Sequence, residues 1–466
     1  MKESEAPSTA RRELKGIWWA PGDARTKVAG TLVLDPEHGA SLELQGAFKI
    51  IRSQTRPKSM GIVLGYVEAF QKVTLLECRV LPGAAYLRGG ETSEVWPKFC
   101  VLGHHYRRPS ALRFHSVTVS FPLLTRWANV GWFQLKHRQE PPGFDISHTQ
   151  REPTTLLQEN DQLVRVQFGW YKSGTNGHTH LKQLVGVVIS SRRPLDLEAI
   201  LTWVFQLQTF FAVAMREVQR PEKVLLRGGR RTVNIRGQRF QREDAELWCH
   251  WRGADTGPEP FMKYYPAFDL ATLKQEAPDA LVRWCKRWKE LEPVLGLYFS
   301  DLERVNQSLA ARFLSMTQCL EAYHRIAVGT RELETGEFDA RVEKLLDSCP
   351  PEWRKWLKTR LEYGYEVSFR RRLRELGGLV MPLDGVACRR MGRFINNVVT
   401  TRNYHVHYDS SLRTRALEGV RLWNAYERLR CLVELLLVRE MGFTSKPQEG
   451  GLSRRVKVLL GEDQFE

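Results

Sequence analysis

Thr401-Arg402-Asn403-Tyr404-His405-Val406-His407-Tyr408-Asp409 closes a segment whose apolar residues keep helical spacing. Arg402 stands four residues after Val398 and seven after Ile395, so on a helix it shares their apolar face. A guanidinium on a core-facing stripe is costly unless it is paired or lines a polar cleft. Asn403 and His407 fall on one helical face, whereas Arg402 and His407 lie about 140° apart around an ideal helix. They converge only through the length of the arginine side chain or where the helix ends or bends. Asp409-Ser410-Ser411 marks such an end.

Outward from this run, the chain reads as nearly all helix from about residue 270. Leu309, Phe313, Met316, Leu320 and Tyr323 recur at alternating steps of four and three, as do Leu422, Tyr426, Leu429, Val433 and Leu436. Two long helices with such stripes, and two or three more between them, make a helical bundle. Breaks are expected at Gly329, Pro350-Pro351, Gly377-Gly378 and Asp409-Ser410. Thr444 to Gly451 reads as a linker. The expected bundle spans 296–442, with a C-terminal tail over 443–466.

Upstream, the period changes to two. Val164, Val166, Phe168 and Trp170 alternate with Arg165, Gln167 and Gly169; Val117, Val119 and Phe121 alternate with Ser116, Thr118 and Ser120; Leu42 and Leu44 alternate with Ser41, Glu43 and Gln45. Such alternation marks antiparallel strands with one buried face. Turn signals such as Pro21-Gly22, Pro82-Gly83 and Gly89-Gly90 punctuate the runs. Residues 1–295 are therefore expected to form a β-rich domain, sandwich or barrel-like, carrying one long helix at about 195–217. The fold class is α+β and multidomain: an antiparallel β-rich N-terminal domain, then an all-α C-terminal bundle.

Bulk properties narrow the partners. The 466 residues are too many for one ordinary core. A formal net charge of +17 favours a polyanion, nucleic acid before an anionic membrane surface. The charge is not packed into a tail: residues 301–466 hold 28 Lys+Arg against 23 Asp+Glu. None of the eight cysteines forms a C-x-x-C pair, which argues against a disulfide framework and a cysteine zinc site and suits a reducing cytosol. Met1-Lys2-Glu3-Ser4-Glu5 opens no apolar signal core. The apolar stretch Leu195 to Met215 carries Asp196, Glu198, Gln206 and Gln208, so a buried helix is expected there, not a membrane span. The expected location is cytoplasmic, without a membrane partner.

The residues of the opening run suit RNA cleavage without a metal. A 2′-hydroxyl must lose a proton, attack phosphorus and expel the 5′-oxygen. A histidine near its ordinary pKa can carry that proton, an arginine can hold the phosphoryl oxygens, and a neutral amide can orient them. Arg402-Asn403, three residues, then His407 has the R-N-x-x-x-H form of the HEPN ribonuclease motif, near the end of a penultimate bundle helix. Phe313-Leu314 and Leu320-Glu321-Ala322-Tyr323-His324 look like the second HEPN helix. With Gly16-Ile17-Trp18-Trp19-Ala20-Pro21-Gly22 and Gly30-Thr31-Leu32 near the start, the chain resembles the ApeA-like HEPN proteins of bacterial anti-phage defence.

The resemblance implies a homodimer joined through the HEPN domain, with two motifs facing across a cleft. It implies an endoribonuclease of abortive infection, held inactive until a phage-derived trigger acts, with the β-rich domain as sensor. Carried onto this chain, Arg402 and His407 are catalytic and Asn403 assists them; Glu321 could pair with Arg402, and His405 and Tyr404 are supporting residues. The substrate would be RNA, tRNA or another structured RNA. No cofactor or metal is expected.

Two rival readings use the same residues. One is a HEPN bundle that holds RNA or a nucleotide without cutting. The other is a toxin silenced by a nucleotidyltransferase that modifies Tyr404, although such toxins are usually short single domains. His104-His105 and His178-Thr179-His180 lie in strand regions without a third ligand of known position. The basic runs Arg227 to Arg242, Trp353-Arg354-Lys355-Trp356 with Lys358 and Arg360, and Arg370-Arg371-Arg372 with Arg374 could touch an RNA backbone, although a solvated face is the commoner role of such runs. No Walker-type loop is present, so no NTP hydrolysis is expected.

Overall fold

A computed structural model describes residues 11–48, 58–85, 91–129, 133–139, 143–149, 151–175, 178–228, 232–235, 238–241, 244–251, 253, 266–303, 307–329, 335–381, 385–443 and 450–462. The chain divides into two compact units: Met1–Ala212 with Glu217–Tyr264 and Asp269–Ala271, and Val213–Arg216 with Tyr265–Phe268 and Thr272–Glu466. The second unit thus takes in residues from about 272 onward, earlier than 296.

The first unit is built on β1 (Arg12–Trp19), β2 (Val28–Asp35), β3 (Gly39–Leu44), β4 (Lys58–Val67), β5 (Gln71–Ala85) and β6 (Glu91–Leu102). These pair antiparallel in the order β6-β3-β2-β1-β4-β5, and β5 pairs again with β6. The six strands therefore close into a barrel, which removes the exposed edge an open sheet would carry. Its interior is the apolar face of each strand, with Trp18, Leu32, Leu42, Leu44, Val63, Leu75, Val95 and Cys100 buried together. Trp18 Nε1 donates to the Gly30 carbonyl at 3.3 Å. A Cβ on Gly65 would stand 2.2 Å from the Trp18 ring, so only glycine admits that indole.

Beyond β6 the sheet continues through later strands: β7 (Phe114–Ser120), β10 (Thr154–Glu159), β11 (Gln162–Thr175), β12 (His178–Leu195), β13 (Lys223–Arg227) and β16 (Ala245–Cys249). Their order outward is β16-β13-β7-β12-β11-β10. Two ribbons stand apart, β8 (Phe133–Arg138) with β9 (Gly143–His148), and β14 (Thr232–Ile235) with β15 (Gln238–Gln241). Arg227 pairs with Asp244; Arg230, Arg231, Arg236 and Arg242 of the basic run lie outside the described residues.

A short helix, α1 (Leu124–Ala128), precedes the long α2 (Leu197–Met215). Phe211 of α2 packs edge-on against Trp127 at 4.9 Å. Among the described residues α2 is the one helix long and apolar enough to cross a membrane, and 61% of its apolar window is buried inside the protein.

The second unit contains α3 (Leu270–Glu276, which begins within the first unit), α4 (Ala280–Arg287), α5 (Glu292–Leu302), α6 (Leu309–Ala327), α7 (Thr335–Asp347), α8 (Pro351–Leu361), α9 (Phe369–Val380), α10 (Gly385–His407), α11 (Gly419–Glu440) and α12 (Gly450–Leu460). The two apolar stripes of the sequence become α6 and α11, where Phe313, Met316, Leu320, Tyr323, Leu422, Tyr426, Leu429, Val433 and Leu436 are all buried. α9, α10 and α5 pack around them. The break expected at Gly377-Gly378 does not occur. α9 runs through both glycines, and a Cβ on Gly377 would touch Met391 of α10 at 3.4 Å. That contact would be an ordinary one, so glycine is not required there; the pair is carried in α9 because tertiary packing outweighs its helix-weakening tendency.

The core of this unit is not purely apolar. Glu434 of α11 is fully buried and meets Arg455 at 2.6 Å, Arg216 at 2.9 Å and Arg430 at 3.5 Å, with the Tyr298 hydroxyl donating at 3.2 Å. Burial alone would raise this carboxyl, but the three guanidiniums hold it down to about 2. Arg455 belongs to α12, in the stretch read from sequence as a tail, and it is fully buried. The linker expected at residues 444–449 lies outside the described residues.

Candidate functional site

Four helices meet around the end of α10. Its apolar face, Met391, Phe394, Ile395, Val398 and Thr401, is buried, which fixes where Arg402 emerges. The Thr401 hydroxyl accepts from the Leu417 backbone at 3.0 Å, so the chain after α10 is anchored to the helix it has left. α10 ends at His407, and Tyr408 turns left-handed with φ +51°. Asp409 then caps a short 3-10 helix, Ser410–Arg415, by accepting from the Ser411 backbone at 2.9 Å. That bonding by Ser411 keeps the Asp409 carboxyl below its ordinary range, with His407 adding to the effect.

Arg402 is partly exposed. Its Nη2 lies 3.6 Å from Glu321 Oε1, its Nη1 donates to Asn403 Oδ1 at 3.3 Å, and its guanidinium sits over the Phe369 ring at 5.8 Å. The ion pair is loose and both partners are more than a quarter exposed, so it orients the guanidinium more than it stabilises the fold. Arg402, Asn403 and Glu321 therefore come together. His407 does not join them: it is exposed, and among the described residues it makes no hydrogen bond or ion pair to the other three. α10 runs as one helix through His407, so the two side chains leave it about 140° apart.

His405 takes a different place. Its ring lies 6.4 Å from Phe313 and 5.1 Å from Tyr404, and its Nε2 is buried without a hydrogen-bond partner among the described residues. Burial holds its pKa below the usual imidazole value. That is the setting of a packing residue. Tyr404 meets Tyr408 edge-on, with ring centroids 5.9 Å apart.

Sequence reasoning missed the layer behind Glu321. His324, one turn along α6, is buried, with Nε2 at 2.7 Å from Glu375 Oε2 and Nδ1 at 3.1 Å from Arg372 Nη1. Arginine can only donate, so Nδ1 accepts and Nε2 carries the hydrogen toward Glu375. Arg372, part of the run read as a solvated basic face, is buried; its Nε donates to the Val367 carbonyl at 2.9 Å. Burial lowers its pKa, and Glu321 is among the carboxylates that act against this. The signal was available: Arg372 precedes Leu376 and Val380 by four and eight residues, the same placement on an apolar stripe that marked Arg402.

His104 and His105 of the first unit are held by packing contacts. His105 Nε2 lies 2.7 Å from the Gly65 carbonyl and its ring meets Trp19 and Tyr66, while His104 packs on Tyr106. His178 and His180 sit in β12, in register with Thr175 and Ser173. Among the described residues no three His, Cys, Asp or Glu side chains are grouped to hold a metal. All eight cysteines are free thiols.

Comparison with known proteins adds to this geometry. A family model for ApeA N-terminal domain 1 matches residues 13–284. A second, for Apea-like HEPN, matches residues 314–447, which hold α7 to α11 and most of α6. No curated protein and no solved structure matches the chain.

Proposed function

Because the chain belongs to the ApeA family of HEPN proteins, we propose that it is a metal-independent endoribonuclease of bacterial anti-phage defence. The HEPN domain of ApeA type itself points to nuclease-like defence; cleavage of RNA, and the residues that perform it, are our reading. The observation that supports it best is the end of α10, where a half-exposed Arg402 is steadied by Glu321 and Phe369 and an exposed His407 stands on the last helical turn.

In this reading Arg402 binds the non-bridging oxygens of a phosphodiester and stabilises the charge that grows on them. His407 takes the proton from the 2′-hydroxyl. The 2′-oxygen forms a bond to phosphorus, the bond from phosphorus to the 5′-oxygen breaks, and the 5′-oxygen leaves as a hydroxyl after gaining a proton. The products are a 2′,3′-cyclic phosphate and a free 5′-hydroxyl. Asn403 holds the Arg402 fork in place. His407 and Arg402 leave α10 on different faces, which supports a homodimer in which the motif of a second copy supplies the missing acid or base. The β-rich unit would then sense a phage-derived trigger.

The test is cleavage of total bacterial RNA, in EDTA, by the wild-type chain and by His407→Ala, with product ends analysed. Cyclic phosphate ends that the substitution removes are the expected result. Equal cutting by both proteins, or silence that persists after phage lysate is added, would leave only a HEPN module that binds without cutting.

A further inference from the structure

The α7–α8 pair is an arm with no core. From residue 336 to 364 not one side chain is buried. Phe338, Leu357 and Leu361 are half-buried, which is all that two short helices achieve against each other. Yet α8 shows solvent Trp353 at 60% and Trp356 at 61% exposure, with Tyr363 at 66% in the turn beyond it. Trp353, Trp356 and Arg360 follow at steps of three and four, so two indoles and a guanidinium line one face. Exposed indoles of this size mark a surface that a partner covers.

Charge and position select the partner. α8 carries Arg354, Lys355, Lys358 and Arg360 against Glu352 alone. Arg354 is engaged, capping α7 through the Cys349 and Asp347 carbonyls at 3.1 and 3.4 Å. Lys355, Lys358 and Arg360 have no carboxylate partner among the described residues. Cations interleaved with flat aromatic faces suit a single-stranded polyanion whose bases stack. The root of the arm is fastened to the helices of the candidate site. Glu366 pairs with Arg325 of α6 at 2.8 Å and approaches Arg372 of α9 at 3.6 Å. Three residues further on, Phe369 lies under Arg402.

We infer that the α7–α8 arm is a docking platform for single-stranded RNA, stacking bases on Trp353 and Trp356 and leading the strand toward Arg402. This rests on the ribonuclease reading and adds to it the surface that receives the substrate.

The experiment measures binding of a fluorescein-labelled single-stranded RNA to the full chain carrying His407→Ala, in EDTA, so that no cleavage intervenes. Adding Trp353→Ala with Trp356→Ala should weaken binding about a hundredfold, about tenfold for each lost stack. Phenylalanine at both positions should restore most of it. Both side chains are exposed, and circular dichroism checks that the fold is kept. Unchanged affinity, or phenylalanine variants as weak as alanine ones, overturns the proposal. So does a dimer that dissociates in sedimentation when the tryptophans are removed while RNA affinity holds, since the arm would then be a contact between copies. Tryptophan-dependent binding by a chain that cuts nothing would keep the platform and remove the ribonuclease reading.

Discussion

Glu434→Gln keeps the outline of a fully buried side chain and removes one negative charge from among three guanidiniums. Two routes give the cost. A carboxyl held at about 2, against an ordinary value of about 4.3, corresponds to roughly 3 kcal/mol of folding free energy at neutral pH. Removing one partner of a buried ion pair typically costs about 3–5 kcal/mol. For a unit of this size each kcal/mol moves the melting temperature by about 2–4 °C, so the helical unit should melt about 10 °C earlier. The assay is thermal unfolding followed by far-ultraviolet circular dichroism at neutral and acidic pH. The sign with pH follows from the depressed folded value: the contribution is full above about 4.3 and is lost as pH falls from there toward about 2. Wild type should therefore weaken across that window, and the variant should weaken less. A melting shift below about 2 °C at neutral pH, or the same acid dependence in both proteins, would refute the assignment of Glu434 as the hub of the cluster.

Other consequences can be checked on the same protein. His324→Leu strips Arg372 of its acceptor and Glu375 of a donor in a buried setting; a loss of about 2–3 kcal/mol is expected in urea unfolding, while Arg371 to Glu375 survives. Because burial lowers the His405 pKa, the unfolded chain takes up that proton first. Its share of stability is present above about 6.5 and declines as pH falls below that, and His405→Leu should flatten this decline in pH-dependent melts. The same variant should keep cyclic-phosphate RNA cleavage that His407→Ala loses, which separates the two histidines of the run.

The helical unit was legible because burial and periodicity coincide there. Phe313, Met316, Leu320 and Tyr323 repeat at helical steps and are buried at those steps. The alternating strands were legible for the same reason, since Val117, Val119, Leu42 and Leu44 all face inward. Closure of the barrel was not, because the pairing of β5 with β6 depends on registers that alternation alone does not set. The cost of an arginine on an apolar stripe called for a partner or a polar cleft at Arg402, and Glu321 comes from the resemblance to HEPN proteins, not from that stripe. The Glu434 cluster could not: Arg216 and Arg455 come from residues over two hundred positions before it and about twenty after it. The exposed face read for Trp353-Arg354-Lys355-Trp356 is found, with both indoles exposed; that no side chain from residue 336 to 364 is buried was not legible, because it depends on what packs against α7 and α8.

Comparing the two charged clusters of the helical unit explains why one is assigned to architecture and the other to chemistry. Around Glu434 the carboxylate is fully buried, and Arg216, Arg430 and Arg455 converge on it from a loop and two helices. Around Arg402 the one carboxylate paired with it among the described residues is at 3.6 Å, the guanidinium keeps part of its surface in water, and its base is a ring and an amide. A phosphodiester oxygen could displace Glu321 there at little cost, because a half-exposed pair at that distance is worth at most about 1 kcal/mol. The buried His324–Arg372 layer supports α6 from behind, so Glu321 can release the guanidinium without the helix moving. An arginine that is oriented yet weakly held is what exchange between an internal carboxylate and a substrate phosphate requires.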